Sequence, residues 1–145
     1  MIRTDRGGKR RAREAALQML YHWEIGRCGA DEAIGAYWPA HDPDGEVGEE
    51  LRTFADALVR GVVERLPELD SLIASRAVNW RVERMAVIDR MILRLAVFEL
   101  LGDADIPPKV VINEAIELAR TYSGDESVAF VNGVLDAVRR DLNRE

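Results

Sequence analysis

The chain has one cysteine, Cys28, two histidines and two lysines among its 20 basic residues. A single cysteine excludes an internal disulfide and fits a reducing compartment. Without a histidine beside it, Cys28 reads as a free, partly buried thiol. His22 and His41 have no second ligand at helical spacing, so no HExxH or Cys/His zinc pattern is present, and no metal or cofactor is expected. Gly7–Gly8 lacks the strand and the GK[ST] context of a phosphate-binding loop. The acidic pairs Glu49–Glu50 and Asp125–Glu126 read as helix caps and solvated faces, not acid–base couples. No window approaches the ~20 apolar residues of a membrane span. The basic N-terminus is not followed by the apolar segment of a secretory signal, so a cytoplasmic protein without membrane contact is expected. No segment alternates with period two long enough to make a strand. These absences leave an enzyme without a catalytic constellation.

What is present is charge of both signs, sharply segregated. Residues 1–13 hold six basic side chains (Arg3, Arg6, Lys9, Arg10, Arg11, Arg13) and one acid, Asp5. The other 132 residues carry 14 basic and 25 acidic side chains, and the whole chain is at −6. A cationic patch on an anionic protein is a local electrostatic device, and its commonest ligand is a phosphate backbone. The near-exclusive use of arginine reflects genome composition more than mechanism, although arginine suits bidentate phosphate contact. An apolar content of 48% is that of a folded globular protein. At 145 residues the chain makes one domain, or two small halves sharing a core.

Periodicity predicts an all-α fold of about seven helices. Residues 1–8 read as a flexible tail. The first helix is expected from Lys9 to Ile25, with Gly26 just past its end. Ala12, Ala15, Ala16, Met19, Leu20 and Trp23 form its core stripe. A second stripe, Leu17, Tyr21 and Ile25, lies nearly opposite; it is either sandwiched between neighbours or presented to a partner. A short helix over Asp31–Trp38, capped by Asp31, precedes a loop at Pro39–Gly48. A long helix follows up to Leu66, and Pro67 starts another. The arginine-rich junction 79–84 and the 39–48 loop are the candidate seams, giving subdomains of about 9–80 and 81–145. The next helix, Glu83–Leu101, lines one face with Met85, Ile88, Ile92 and Leu95, flanked by Met91, Ala96 and Phe98; Glu99 falls within that face and needs a partner there. Helix Lys109–Tyr122 is expected to bury Val111, Ile112, Ala115, Ile116, Leu118, Ala119 and Tyr122 and to leave Asn113, Glu114, Glu117 and Arg120 outside. A last helix, capped by Asp125 or Ser127, buries Val131, Val134, Leu135, Val138 and Leu142.

Two features are candidates for binding single-stranded RNA or DNA, and the first, the basic cluster, is otherwise a solvated arm that aids solubility. Lys9, Arg10, Arg11 and Arg13 spread around the start of the first helix. If about four phosphates were neutralised, single-strand affinity would fall roughly 50-fold between 50 and 200 mM salt. Phe130 projects about 100° from the centre of its helix's core stripe. It is either a rim residue of the core or a stacking platform for an unpaired base.

Four blocks, in order, resemble the bacterial transcription antitermination factor NusB family. They are Arg10–Tyr21 (RRAREAALQMLY), Asp89–Leu100 (DRMILRLAVFEL), Ile112–Ala119 (INEAIELA) and Ser127–Asp136 (SVAFVNGVLD). The resemblance implies two perpendicular, packed three-helix bundles. It implies binding of single-stranded boxA RNA together with NusE, a small-subunit ribosomal protein, within an RNA polymerase complex containing other Nus factors. It places RNA contacts on Lys9, Arg10, Arg11, Arg13, Glu126 and Phe130, and a protein-partner face on Tyr21 and Asp89, to which the stripe adds Leu17 and Ile25. The Ser123–Ser127 loop reads slightly shorter than the family pattern, and Ala129 stands where some members carry Lys. Residues 27–80 match only in helical pattern.

The expected function is therefore a non-enzymatic RNA-binding adaptor. One rival is the similar helical domain that opens certain ribosomal RNA cytosine methyltransferases; this sequence carries no Gly-rich loop or strand of a methyl-donor domain. A second rival is a helical interaction module that binds no RNA.

Overall fold

The computed structural model describes residues 2–77, 81–102 and 106–144, with side chains from Lys9 onward. The first two residues of the 79–84 junction and the side chains of Arg3, Asp5 and Arg6 lie outside the described residues. Seven α-helices and one 3-10 turn are present, with no strand among the described residues. The chain forms two compact units, Met1–Glu64 and Arg65–Glu145.

The first unit holds α1 (Ile2–Gly26), α2 (Ala30–His41) and α3 (Glu49–Glu64), with α1 against both others. Its core is the predicted stripe: Ala12, Ala15, Ala16, Met19 and Leu20 are fully buried. Three alanines let the neighbouring helices approach closely. Tyr37 and Trp38 from α2, and Ala55, Leu58, Val59 and Val62 from α3, fill the other side.

Several boundaries depart from the sequence expectation. Helical backbone begins at Ile2 instead of Lys9, so the residues read as a tail continue α1. Gly26 is the last helical residue, and Arg27 takes the left-handed conformation, at φ 52°. A Cβ at Gly26 would come within 3.1 Å of the ring of His22, an exposed side chain with room to move aside. Helix α2 is capped by Gly29, not Asp31, and runs through Pro39 to His41. Proline removes one bond of the last turn, where the helix is closing anyway. The Asp42 N–H donates to Trp38 O at 2.8 Å and completes that end. Asp31 instead pairs with Arg60 of α3 at 3.1 Å.

The second unit comprises α4 (Leu66–Arg76), the 3-10 turn Val82–Arg84, α5 (Val87–Leu101), α6 (Pro108–Tyr122) and α7 (Asp125–Asp141). It thus has four helices where three were expected, and the division falls at Glu64/Arg65, not near residue 80. The reason is packing. Helix α4 lies against α5 and α7. Arg94 of α5 makes a bidentate pair with Asp70 of α4, both bonds at 2.8 Å, and Arg76 of α4 pairs with Asp141.

Helix α5 is the centre of this unit and touches α4, α6 and α7. Surrounded on several sides, it is buried beyond one stripe: Leu93 and Val97 are fully buried, whereas Ile88 and Phe98 are half-buried. It begins at Val87, not at Glu83, which lies within the 3-10 turn. Glu99 is buried, as its position predicted. Glu114 of α6 was expected outside but is only 3% exposed, while Ile116 and Tyr122 are half-buried. The turn from α6 to α7 needs Gly124 (φ 146°), which also occupies the N-cap position expected for Asp125 or Ser127.

Candidate nucleic-acid interface

In the first unit, the basic run occupies consecutive positions of α1, so helical geometry points its side chains in different directions. Lys9 and Arg10 are exposed. Arg11 is half-buried and donates to the Tyr37 hydroxyl at 3.3 Å; that hydroxyl donates in turn to Gln18 Oε1 at 2.8 Å. The hydrogen bond to Tyr37 raises the Arg11 pKa above its ordinary value, so this cation is fixed in charge and tied to α2. Arg13 is different. It is 4% exposed, and its guanidinium lies 5.6 Å from the centre of the Phe54 ring on α3. One turn earlier, the Lys9 ammonium lies 5.4 Å from the same ring. The expectation that Arg13 joins Lys9, Arg10 and Arg11 in contacting RNA is corrected: the structure turns Arg13 inward, because its position borders the Ala12–Ala16 core stripe.

The second stripe of α1 divides as well. Leu17 is 1% exposed and belongs to the core, which corrects its place on a partner face. Tyr21 at 41% and Ile25 at 55% are the large apolar residues left exposed among the described residues. The stripe is buried at its start and open at its end.

In the second unit, the structure brings Asp89, Glu126 and Phe130 together. With Met85, Ala86 and Ser127 they line a cleft of about 290 Å³. Asp89 starts α5, and Glu126 and Phe130 lie one turn apart on α7. Phe130 is half-buried, so its ring is both seated and accessible. The Asp89 carboxylate accepts hydrogen bonds from Ser123 Oγ at 2.8 Å and Ser127 Oγ at 2.9 Å, and the two hydroxyls are 2.7 Å apart. Sequence reasoning missed this serine clamp. Ser127 was read only as a cap, and nothing local in the sequence connects position 89 to positions 123 and 127.

A short helical protein with outward cations on one helix, an exposed tyrosine and isoleucine further along it, and an aromatic-walled acidic cleft is built to bind other molecules. Among the described residues, no three metal-ligating side chains cluster, and no helix is long and apolar enough to cross a membrane. Residues 10–140 match the NusB family model, and the chain belongs to the NusB family. It is 49% identical to the transcription antitermination protein NusB of Anaeromyxobacter dehalogenans, over 91% of this chain and 90% of that one. The Koribacter versatilis protein of the same name is 45% identical over 96% and 93%. Among solved structures, T. maritima NusB superposes with a TM-score of 0.82 at 34% identity, covering 92% of this chain and 91% of that one. The NusB of a complex of antitermination factors NusB and NusE with double-stranded RNA gives 0.81 at 25% identity, covering 97% and 99%.

Proposed function

We propose that this protein is an RNA-binding adaptor of transcription antitermination. With NusE it holds the boxA element of nascent ribosomal RNA and suppresses termination by RNA polymerase alongside other Nus factors, in the cytoplasm. The observation that carries the reading is the match, over 97% of this chain, to a NusB solved with NusE and RNA, joined to the exposed cations Lys9 and Arg10 on α1. Lys9 and Arg10 supply phosphate contacts, and Arg11 adds charge in a fixed position. Phe130 offers its ring to an unpaired base or sugar, with Glu126 at the rim of the same cleft. Tyr21 and Ile25, with Asp89, serve the protein partner; an exposed amphipathic tyrosine is a typical anchor of such a surface. The cationic patch is small, so RNA affinity alone is modest, and a docked partner extends the surface and raises avidity.

Binding of a boxA-like single strand, with and without NusE, tests this for the wild type and for Lys9→Glu/Arg10→Glu. The wild type should bind more tightly with NusE present, and the charge reversal should weaken binding at least tenfold in both settings. Equal binding by the two proteins at moderate salt would sink the adaptor reading and favour a module that binds no RNA.

A further inference from the structure

Helices α6 and α7 form a hairpin closed by the short Ser123–Gly124 turn, so the start of α6 and the end of α7 lie at the same end. Between them runs a second cleft, of about 490 Å³, that the proposed function does not use. Lys109 and Asn113, one turn apart, form one wall, and Asn132, Asp136 and Arg139, at successive turns, form the other. Ile112, buried, is the floor. Asn132 is two residues from Phe130, about 200° around the helix, so this cleft lies on the opposite flank of α7 from the Phe130 cleft.

The wall chemistry is specific. Asn113 and Asn132 are both exposed, and neither carboxamide has a hydrogen-bond partner among the described residues; the same holds for the Lys109 ammonium. Asp136 is engaged by Arg139 at 2.8 Å and by Arg140 at 3.1 Å, which leaves the cleft and its rim cationic although the chain as a whole is at −6. A carboxamide presents a donor and an acceptor side by side, the same pair a peptide group displays. The cleft lacks the aromatic platform that single-stranded nucleic acid sites use to stack bases. The spacing also fits. The four residues from Lys109 to Asn113 rise about 6 Å, and an extended peptide covers that in about two residues.

We propose that the α6–α7 cleft binds an extended acidic peptide of a partner protein. Asn113 and Asn132 bond its backbone N–H and C=O groups, and Lys109 takes a carboxylate about two residues along. The ligand is distinct from RNA, and its site stands on a different face of the unit from the Phe130 cleft. Both could be filled at once.

The test titrates the full-length protein with acetyl-Gly-Asp-Gly-Asp-Gly-amide and follows the side-chain amide NMR signals of Asn113 and Asn132. Controls are the Asn-for-Asp version of the peptide and an oligouridylate. Both side-chain amides should shift saturably with the acidic peptide, and at least tenfold more weakly with its neutral version. Asn113→Ala, Asn132→Ala and Lys109→Gln should each weaken the acidic peptide at least fivefold while leaving boxA-like RNA binding unchanged. All three substitutions are at exposed positions, and unchanged backbone spectra verify the fold. Absence of saturable shifts, equal response to the neutral peptide, tighter binding of the oligouridylate at these amides, or indifference to the variants would overturn the proposal. RNA binding is read separately in the same variants, so failure of this site and failure of the RNA reading give different results.

Discussion

Lys9 and Arg13 both pack over the Phe54 ring, yet only Lys9 reaches solvent. The consequence is a smaller phosphate-binding set than the sequence run implies. With Lys9, Arg10 and Arg11 as the contributing cations, single-strand RNA affinity should fall about 20-fold between 50 and 200 mM salt, not the roughly 50-fold of four contacts. Arg13→Gln should cost about 1–3 kcal/mol of stability through lost packing and cation–π contact and leave the slope of log affinity against log salt unchanged. Urea denaturation and RNA titration at several salt concentrations read the two effects separately. A slope that flattens in Arg13→Gln would return Arg13 to the phosphate-binding set. The same division applies to Leu17 and Tyr21, four residues apart on α1. Leu17→Ala should destabilise the protein by about 2–5 kcal/mol, whereas Tyr21→Asp, at an exposed position, should change stability by less than about 0.5 kcal/mol and weaken NusE binding. Comparable loss of stability in both would place Tyr21 in the core.

At the scale of elements, helix periodicity and stop residues were legible and junctions were not. All seven helices follow from 3.6-residue spacing, because burial of one stripe is written directly into residue order. What escaped depends on contacts between distant positions. Pro39 looked like the start of a loop, but α2 continues through it and ends on Asp42. The Asp42 carboxylate accepts the N–H groups of Glu46 at 2.9 Å and Val47 at 3.0 Å, and Arg52 of α3 at 2.6 Å. The Arg52 guanidinium also stacks 4.8 Å over Trp38, so one aspartate closes the whole α2–α3 connection. The hydrogen bond from Arg52, with the two backbone N–H groups, holds the Asp42 carboxyl below the usual carboxylate range. A depressed folded pKa contributes stability that is present above the unfolded value, near 3.9, and is lost as pH falls through the folded one. Asp42→Asn should therefore be less stable than the wild type at pH 7, with the gap narrowing as pH is lowered towards 3. Thermal melts across that range check it, and a gap that stays constant would show that the carboxylate's charge is not what holds the connection.

For the whole molecule, the four sequence blocks were enough to indicate the family, while the second unit's membership was not legible. The division after Glu64 rests on α4 packing with α5 and α7 and on the Arg94–Asp70 pair, none of which leaves a local signature. The burial of Glu114 escaped for the same reason: a helix wheel assigns one face, and a helix packed on two neighbours buries more than one. The candidate site was legible as residue types, with Phe130, Glu126 and Asp89 indicated, but not as a cleft with its serine clamp. Two patches in two units raise a question that only binding energetics can answer, namely whether one RNA engages both. If it does, Lys9→Glu/Arg10→Glu and Phe130→Ala should each reduce the stabilisation that a boxA-like strand confers. At a ligand concentration 100 times its Kd that stabilisation is about 2.7 kcal/mol. For a chain of this length it corresponds to a rise in Tm of roughly 5–11 °C. Each variant should retain part of the rise, and the combination should lose nearly all of it. If Phe130→Ala leaves the RNA-induced shift intact, the aromatic belongs to the core margin or the protein partner, and the α1 cations carry the RNA contact alone.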